Sequence, residues 1–286
     1  MDKSIKFALV ILHYLVLKDT EELLDRIIQS DVSERLNIYV VDNGSNNGTG
    51  EALYRRYSKF KNIRVLILSE NLGFAKGNNV GIKKALDDGN DFIICSNNDV
   101  ILDITEDFLN RVVDVYKNDN LIALIGPNII NLNGSKQNPV VWSRPDYDRM
   151  MFKLKFIYET KLGKLFYYAK HLMMDKLLYF RNHVCEDKGS GYVYALHGSF
   201  LIFTPTFFRY FGGFDEGTFL YCEEIILAEM IYRKNLKAFY DEDIFVTHKE
   251  DVSTDFYLKR SNLSKLKFSL RYNYESYKYF LEKYLK

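Results

Sequence analysis

Cysteine is scarce in this chain of 286 residues, and the three present are scattered. Cys95, Cys185 and Cys222 form no CxxC pair, which argues against a disulfide frame or a zinc site and for a reducing compartment. A dominant sign of charge is missing too. Lys and Arg number 39 against 38 Asp and Glu, so no nucleic-acid partner is implied and any basic patch has to be local. No apolar run reaches membrane-spanning length, and residues 1–6 lead straight into a short strand without the apolar core of a secretory signal. The expectation is a cytoplasmic protein, soluble or peripheral at the inner face of the plasma membrane. GxGxxG does not occur, nor does GxxxxGK followed by Ser or Thr, which weakens dinucleotide and P-loop readings. Aromatic residues are plentiful by contrast: 22 Tyr and 21 Phe beside the single Trp142.

The length suits one large α/β domain or two small ones, and an apolar fraction of 47% is enough for a sizeable core. Residues 92–95 are an apolar run of strand type that ends abruptly in Ser96-Asn97-Asn98-Asp99. A buried strand ending this way puts its last side chains at the rim of a sheet, where open α/β folds bind ligands. Asn98 and Asp99 offer hard oxygen ligands suited to Mg²⁺ or Mn²⁺ holding a diphosphate. A plain β-turn uses the same residue types.

Further strands are expected at 7–12, ending in His13-Tyr14, at 38–41, ending in Asp42-Asn43-Gly44-Ser45, and at 63–68. Between them come a helix capped by Asp19 or Thr20 with Glu21 and Glu22 in its first turn, one running through Tyr57, and one carrying Val80, Ile82, Ala85 and Leu86. This alternation with short loops implies parallel strands joined by right-handed crossovers. Beyond an apolar segment at 122–130, residues 131–143 read as a polar loop.

Residues 150–183 interleave Lys and Arg with Phe, Tyr and Leu, as one or two basic amphipathic helices able to lie on an anionic membrane. The alternative is a helical insertion with its lysines in water. Sheet texture returns at 192–203, broken by His197-Gly198-Ser199, followed by a tight turn at 212–216 and a helix over 219–233. A short strand at 244–246 ends in Thr247-His248, and a basic, aromatic tail from 255 has helical spacing.

Six segments in order carry a resemblance: Val41-Asp42-Asn43-Gly44-Ser45, Asn71 through Gly81 with its Leu72-Gly73-Phe74-Ala75-Lys76 core, Asn97-Asn98-Asp99, Gly212-Gly213-Phe214-Asp215-Glu216, Phe219 through Glu224, and Val246-Thr247-His248. Together they resemble the family 2 glycosyltransferases of GT-A fold, and among these the bacterial rhamnosyltransferase-like branch, over about residues 7–248. The resemblance implies an α/β fold of GT-A type: a Rossmann-like mixed sheet flanked by helices, with a helical insertion (150–183) and a short helical C-terminal tail (255–286). Residues 1–254 would form the transferase domain, with 1–130 its nucleotide-binding half and 191–254 its acceptor-side half.

The resemblance also implies roles. Asp42 and Asn43 match the loop that holds base and ribose, with Asn71, Gly73, Lys76 and Asn98 also on the donor nucleotide. Asp99 matches the metal ligand that bridges the diphosphate, and His248 a histidine of the same shell. Glu224 matches the general base, with Glu223 and Gly198 on the acceptor side. The implied reaction is inverting transfer from a dTDP- or UDP-sugar, rhamnose among the sugars, to a saccharide or lipid-linked acceptor in bacterial surface glycan synthesis. One carboxylate to take the acceptor proton and one cation to neutralise the leaving diphosphate suffice for it, where glycoside hydrolases use two carboxyl groups. A sugar nucleotidyltransferase and a non-catalytic sugar-binding protein are the competing readings. The chain departs from the family pattern at Asn98, where an acidic residue or Pro is usual, at Ile226, where an acidic residue is usual, and at His13-Tyr14.

Overall fold

The structure is a computed structural model that describes residues 5–177, 188–249 and 262–285. Its parallel half contains β1 (Phe7–His13), β2 (Leu36–Asp42), β3 (Ile63–Ile67) and β4 (Phe92–Asn97). The rest of the sheet is β5 (Val100–Ile101), β6 (Ile122–Asn131), β7 (Gly191–Val193), β8 (Phe200–Phe203) and β9 (Lys237–His248). The order is β3-β2-β1-β4-β8-β6-β9-β5, with β7 paired to β9. β8 runs antiparallel to β4 and β6, so the sheet is mixed.

Alternate residues of β1 face opposite layers, as the twofold pleat requires. Leu9 and Ile11 pack in one core with Leu23, Leu24 and Ile27 of α1 (Leu17–Ile28), Leu53 of α2 (Thr49–Tyr57) and Val112 of α4 (Glu106–Asn118). Ala8 and Val10 pack in the other with Ala75 and Ile82 of α3 (Phe74–Asp87). Helices on both faces explain why the central strands read as continuous apolar runs rather than alternating ones. The register sets His13 opposite Asp42 and Leu12 opposite Asn97, so β1, β2 and β4 end together at one rim.

After β6 come α5 (Tyr147–Glu159) and α6 (Lys161–Leu177), two helices where one or two were expected over 150–183; residues 178–183 lie outside the described residues. The short α7 (Pro205–Phe208), α8 (Glu223–Arg233) and α9 (Asn262–Tyr284) complete the chain. Tail residues 255–261 also lie outside the described residues. α9 packs on the domain, where Phe280 and Tyr284 join Ile226 and Ala228 of α8 in a third core.

Several elements differ from the sequence-based expectations. α1 starts at Leu17 without a side-chain cap, because the expected caps are engaged elsewhere. Asp19 accepts from Lys249 Nζ at 2.8 Å, and Thr20 meets His13 Nδ1 at 2.7 Å. α3 starts at Phe74 and takes in most of the expected glycine- and asparagine-rich loop. Gly77 and Gly81 allow this by letting the helix lie directly on Leu12 and Val10 of β1. α8 starts at Glu223 rather than near Phe219, since Tyr221 and Cys222 have φ of 72° and 67°, in the left-handed region. α4 and β5 have no counterpart among the expectations, although Thr105 caps α4 through Phe108 N at 3.2 Å. No described helix is long and apolar enough to cross a membrane.

Candidate active site

The common rim of β1, β2 and β4 opens into a cavity of about 280 Å³. It is lined by Asn97, Asn98 and Asp99 at the end of β4, by Leu12, Tyr14, Asn43, Asn71 and Gly73, and by His248, Phe219, Leu220, Phe268 and Tyr272, with Asp99 and His248 together on its floor. Six residues singled out in the sequence therefore meet here: Asn43, Asn71, Gly73, Asn98, Asp99 and His248.

Strand pairing creates the central contact. β5 runs antiparallel to β9 with Val100 opposite His248, which brings the preceding Asp99 beside the imidazole. His248 Nε2 and Asp99 Oδ1 lie 3.3 Å apart, both buried. Asp99 Oδ1 has no hydrogen-bond partner. On the opposite edge of the ring, His248 Nδ1 is 3.0 Å from Gln137 Oε1. An amide oxygen only accepts, so Nδ1 carries the hydrogen, which leaves Nε2 as the ring atom that faces Asp99. A buried carboxylate oxygen without a hydrogen-bond partner, beside an imidazole nitrogen, fits a divalent cation such as Mn²⁺ or Mg²⁺. Among the described residues no cluster of three or more His, Cys, Asp or Glu accompanies them.

The nucleotide side is built around Asn43. Its amide donates to Asn71 Oδ1 and to Gly73 O, both at 3.1 Å, and its oxygen accepts from Leu72 N at 3.0 Å. Both amide hydrogens are thus engaged in holding the 71–73 loop. Gly73 has φ +86°, and the space a Cβ would need is filled by Phe219 O, which also accepts from Phe74 N at 2.9 Å. Glycine is required there on both counts.

Asp42 does not line the cavity. It is buried and accepts from Ser45 N at 3.2 Å and from the Ser45 hydroxyl, and burial raises its carboxyl above the usual range despite those bonds. Lys76 is exposed and borders a neighbouring depression with Glu216 and Tyr272. Asn98 donates to Thr20 Oγ1 at 3.0 Å. Beneath it, His13 lies between Thr20 and Thr49, its pKa pushed down to about 4 by burial.

Glu224 is half-buried in the first turn of α8 and accepts from Gly198 N at 3.3 Å. It stands outside the cavity lining, one step from it: His197, next to Gly198, packs its ring edge-on against His248 at 5.6 Å. Glu223 turns inward, where it accepts from the Thr218 hydroxyl at 3.4 Å. Burial, with Glu224 beside it, pushes its pKa up to about 8.

Two parts of the site escape sequence reasoning. Gln137 sits in the segment expected as a polar loop, which folds back along β6 through Gln137 N to Ile129 O at 2.8 Å; no local pattern marks it. The second is the aromatic wall from α9. Tyr272 stacks on Phe219 at 5.0 Å, and the Ser276 hydroxyl donates to Leu220 O at 2.7 Å. Asp215 fastens the far end of α9, accepting from the Tyr279 hydroxyl and Lys283 Nζ, each at 2.6 Å. The helical spacing of the tail was the available signal.

A sequence profile described as glycosyl transferase family 2 matches residues 9–179. This chain belongs to that family. The family 2 chain is 24% identical over 246 residues to the low-salt glycan biosynthesis hexosyltransferase Agl10 of Haloferax volcanii, covering 86% of this chain and 67% of that one. Among solved structures it resembles GalNAc-T7 with UDP, GalNAc and Mn²⁺ at a TM-score of 0.59 and 15% identity, over 98% of this chain and 56% of that chain. It also resembles S. aureus TarS 1-349 in complex with UDP at a TM-score of 0.54 and 16% identity, over 88% of this chain and 62% of that chain. The mannosyltransferase PcManGT of Pyrobaculum calidifontis, in complex with GDP-Man and Mn²⁺, matches at a TM-score of 0.53 and 14% identity, over 99% of this chain and 72% of that chain. These likenesses are of fold: the mixed sheet flanked by helices, with its helical C-terminal tail, is the GT-A architecture. The family 2 chain spans little more than half the length of GalNAc-T7.

Proposed function

We propose that this chain transfers a sugar from a nucleotide-sugar donor to a hydroxyl of a saccharide or lipid-linked acceptor, with inversion at the anomeric carbon. The observation that carries the reading is the buried Asp99–His248 pair on the floor of a cavity walled by the Asn43–Asn71–Gly73 loop. Structural neighbours solved with UDP, UDP-GlcNAc and GDP-Man support it, two of them with Mn²⁺ present. The motifs favour a dTDP- or UDP-sugar, rhamnose among the sugars, and a setting at the cytoplasmic face of the membrane where surface glycans are built.

Asp99 and His248 would hold Mg²⁺ or Mn²⁺, which when bound supplies positive charge to a departing diphosphate. Asn43 holds the loop that shapes the donor cavity, and Asn98 holds the strand end to α1. Glu224, partly open to solvent, takes the proton of the attacking hydroxyl at its carboxylate. Glu223, inward and protonated at neutral pH, has no free charge to compete for that role.

Calorimetry with UDP, dTDP and GDP, with and without Mn²⁺, tests the donor side; the expected result is tight binding of one of them only with metal. Glu224→Gln tests the chemistry. Transfer should fall by about 10²–10⁴-fold with donor affinity unchanged. Turnover at the wild-type rate, or loss of nucleotide binding in that variant, rejects Glu224 as the base.

A further inference from the structure

The α5–α6 hairpin has apolar side chains turned toward the domain and others that no described residue covers. On the inner side Tyr158 is buried, its ring 6.2 Å from Tyr167, 6.0 Å from Tyr274 and 6.1 Å from Tyr277, which joins the hairpin to α9. Among the described residues, nothing covers the second set. Phe152 is 79% exposed, and Leu162, Leu165 and Phe166 are 66, 65 and 67% exposed. At about 100° per residue these three α6 side chains fall within one arc of about 100°. The exposure is not general to the aromatic-rich segments, since on α9 Phe280 is fully buried and Leu270 nearly so.

The corner between the helices is built to hold this face in place. The Thr160 hydroxyl donates to Phe156 O at 2.7 Å and accepts from Gly163 N at 2.9 Å. A side chain at Gly163 would strike the Phe156 backbone, so glycine lets α6 turn tightly over the end of α5. Beside the apolar face stand exposed Lys155, Lys161 and Lys164, opposed by Glu159.

We propose that this corner is a membrane-docking surface, with Phe152, Leu162, Leu165 and Phe166 entering the headgroup boundary of an anionic leaflet and the three lysines meeting its phosphates. Clustered exposed apolar side chains on a rigid element mark an interaction site. Aromatic and Leu side chains flanked by lysine are the composition of helices that lie in a membrane interface. Charge complementarity selects the occupant. A second copy of the chain seated here would bring the same lysines face to face, whereas anionic lipid neutralises them. The docking surface stands on these residues alone and rests on the proposed function only for its consequence, delivery of a lipid-linked acceptor along the membrane plane.

Flotation of the full chain with vesicles tests it, using phosphatidylcholine alone against phosphatidylcholine containing phosphatidylglycerol. Binding is expected with phosphatidylglycerol at low salt, weakening as salt screens the lysines. Combined F152S, L162S, L165S and F166S substitutions should reduce it by about tenfold or more, with circular dichroism and nucleotide binding retained. Combined K155E, K161E and K164E should abolish the preference for anionic vesicles while leaving every apolar residue in place, which guards against misfolding in the first variant. No binding to anionic vesicles, or binding unchanged in both variants, overturns the proposal. So does a wild-type dimer in solution that the serine variant turns into a monomer. Vesicle binding by a protein that shows no nucleotide binding would leave the surface standing and defeat the transferase reading alone.

Discussion

Gln137 grips the Nδ1 edge of His248 from 111 residues earlier in the chain, at 3.0 Å. Its neighbour Asn138 accepts from His197 N at 2.9 Å and donates to Pro127 O at 2.8 Å. One loop, folded back along β6, therefore holds the His248 ring at the cavity and the backbone of His197 beside it. Partners of this kind fix the ring tautomer of a metal-binding histidine and raise its basicity.

Gln137→Met keeps the bulk and removes the acceptor. Mn²⁺ affinity, read from the electron paramagnetic resonance of free Mn²⁺, should fall by about tenfold, and Gln137→Glu should restore it. Unchanged Mn²⁺ affinity in the Met variant would show that the tautomer is set by something else.

Asp99→Asn keeps the shape of the cavity floor and removes its charge. Nucleoside diphosphate affinity in the presence of Mn²⁺ should drop to the metal-free level, while the metal-free affinity stays as in the wild type. Calorimetry that finds equal affinities with metal for both proteins would remove Asp99 from the ligand set.

Gly73→Ala meets two obstacles, the φ of +86° and the carbonyl of Phe219. Gly48→Ala, at φ +79° with open space around it, meets only the first. Denaturant unfolding should show Gly73→Ala losing more than about 1 kcal/mol, as expected for Ala at positive φ, and more than Gly48→Ala. Nucleotide binding should weaken only in the Gly73 variant. Equal losses in the two would mean that the contact with Phe219 is unimportant.

Glu223 and His13 contribute opposite pH dependences. The pKa of Glu223 is raised from 4.5 to about 8, so between those values the folded state holds a proton that the unfolded chain releases. Its contribution is fully present below about 4.5 and is lost as pH rises through 8. The pKa of His13 is lowered from 6.5 to about 4. There the unfolded chain binds the extra proton, and stability falls as pH drops from 6.5 toward 4. Glu223→Gln should flatten the decline in melting temperature between pH 6.5 and 8 and steepen the acid limb between 6.5 and 4.5, where the two groups otherwise offset each other. A decline as steep as in the wild type would mean that the carboxyl ionises at its ordinary pH.

The central strands were legible because a run buried on both faces shows its nature residue by residue. Phe92 to Cys95 needs no partner to be recognised, and the polar stop after it marks Asp99 as a rim residue. The order of the family-like segments carried the fold and the family on the same basis, since each is a short local pattern. α4 went unread although Thr105 and Glu106 signal a helix start, and α3 was shortened because its glycines look like loop until Val10 and Leu12 are seen beneath them.

What tertiary structure alone decided is which side chains share a space. Asp99 gains His248 only through the pairing of β5 with β9, and His248 gains Gln137 only through the return of the 131–143 loop. The same holds in reverse for Asp42 and Lys76, adjacent in pattern to cavity residues yet set apart from the cavity by burial against Ser45 and by the outward face of α3. The physical reason is range. Periodicity and strand ends are written within a few residues, whereas register across the sheet is settled by the joint burial of strands more than a hundred residues apart, which no single segment carries.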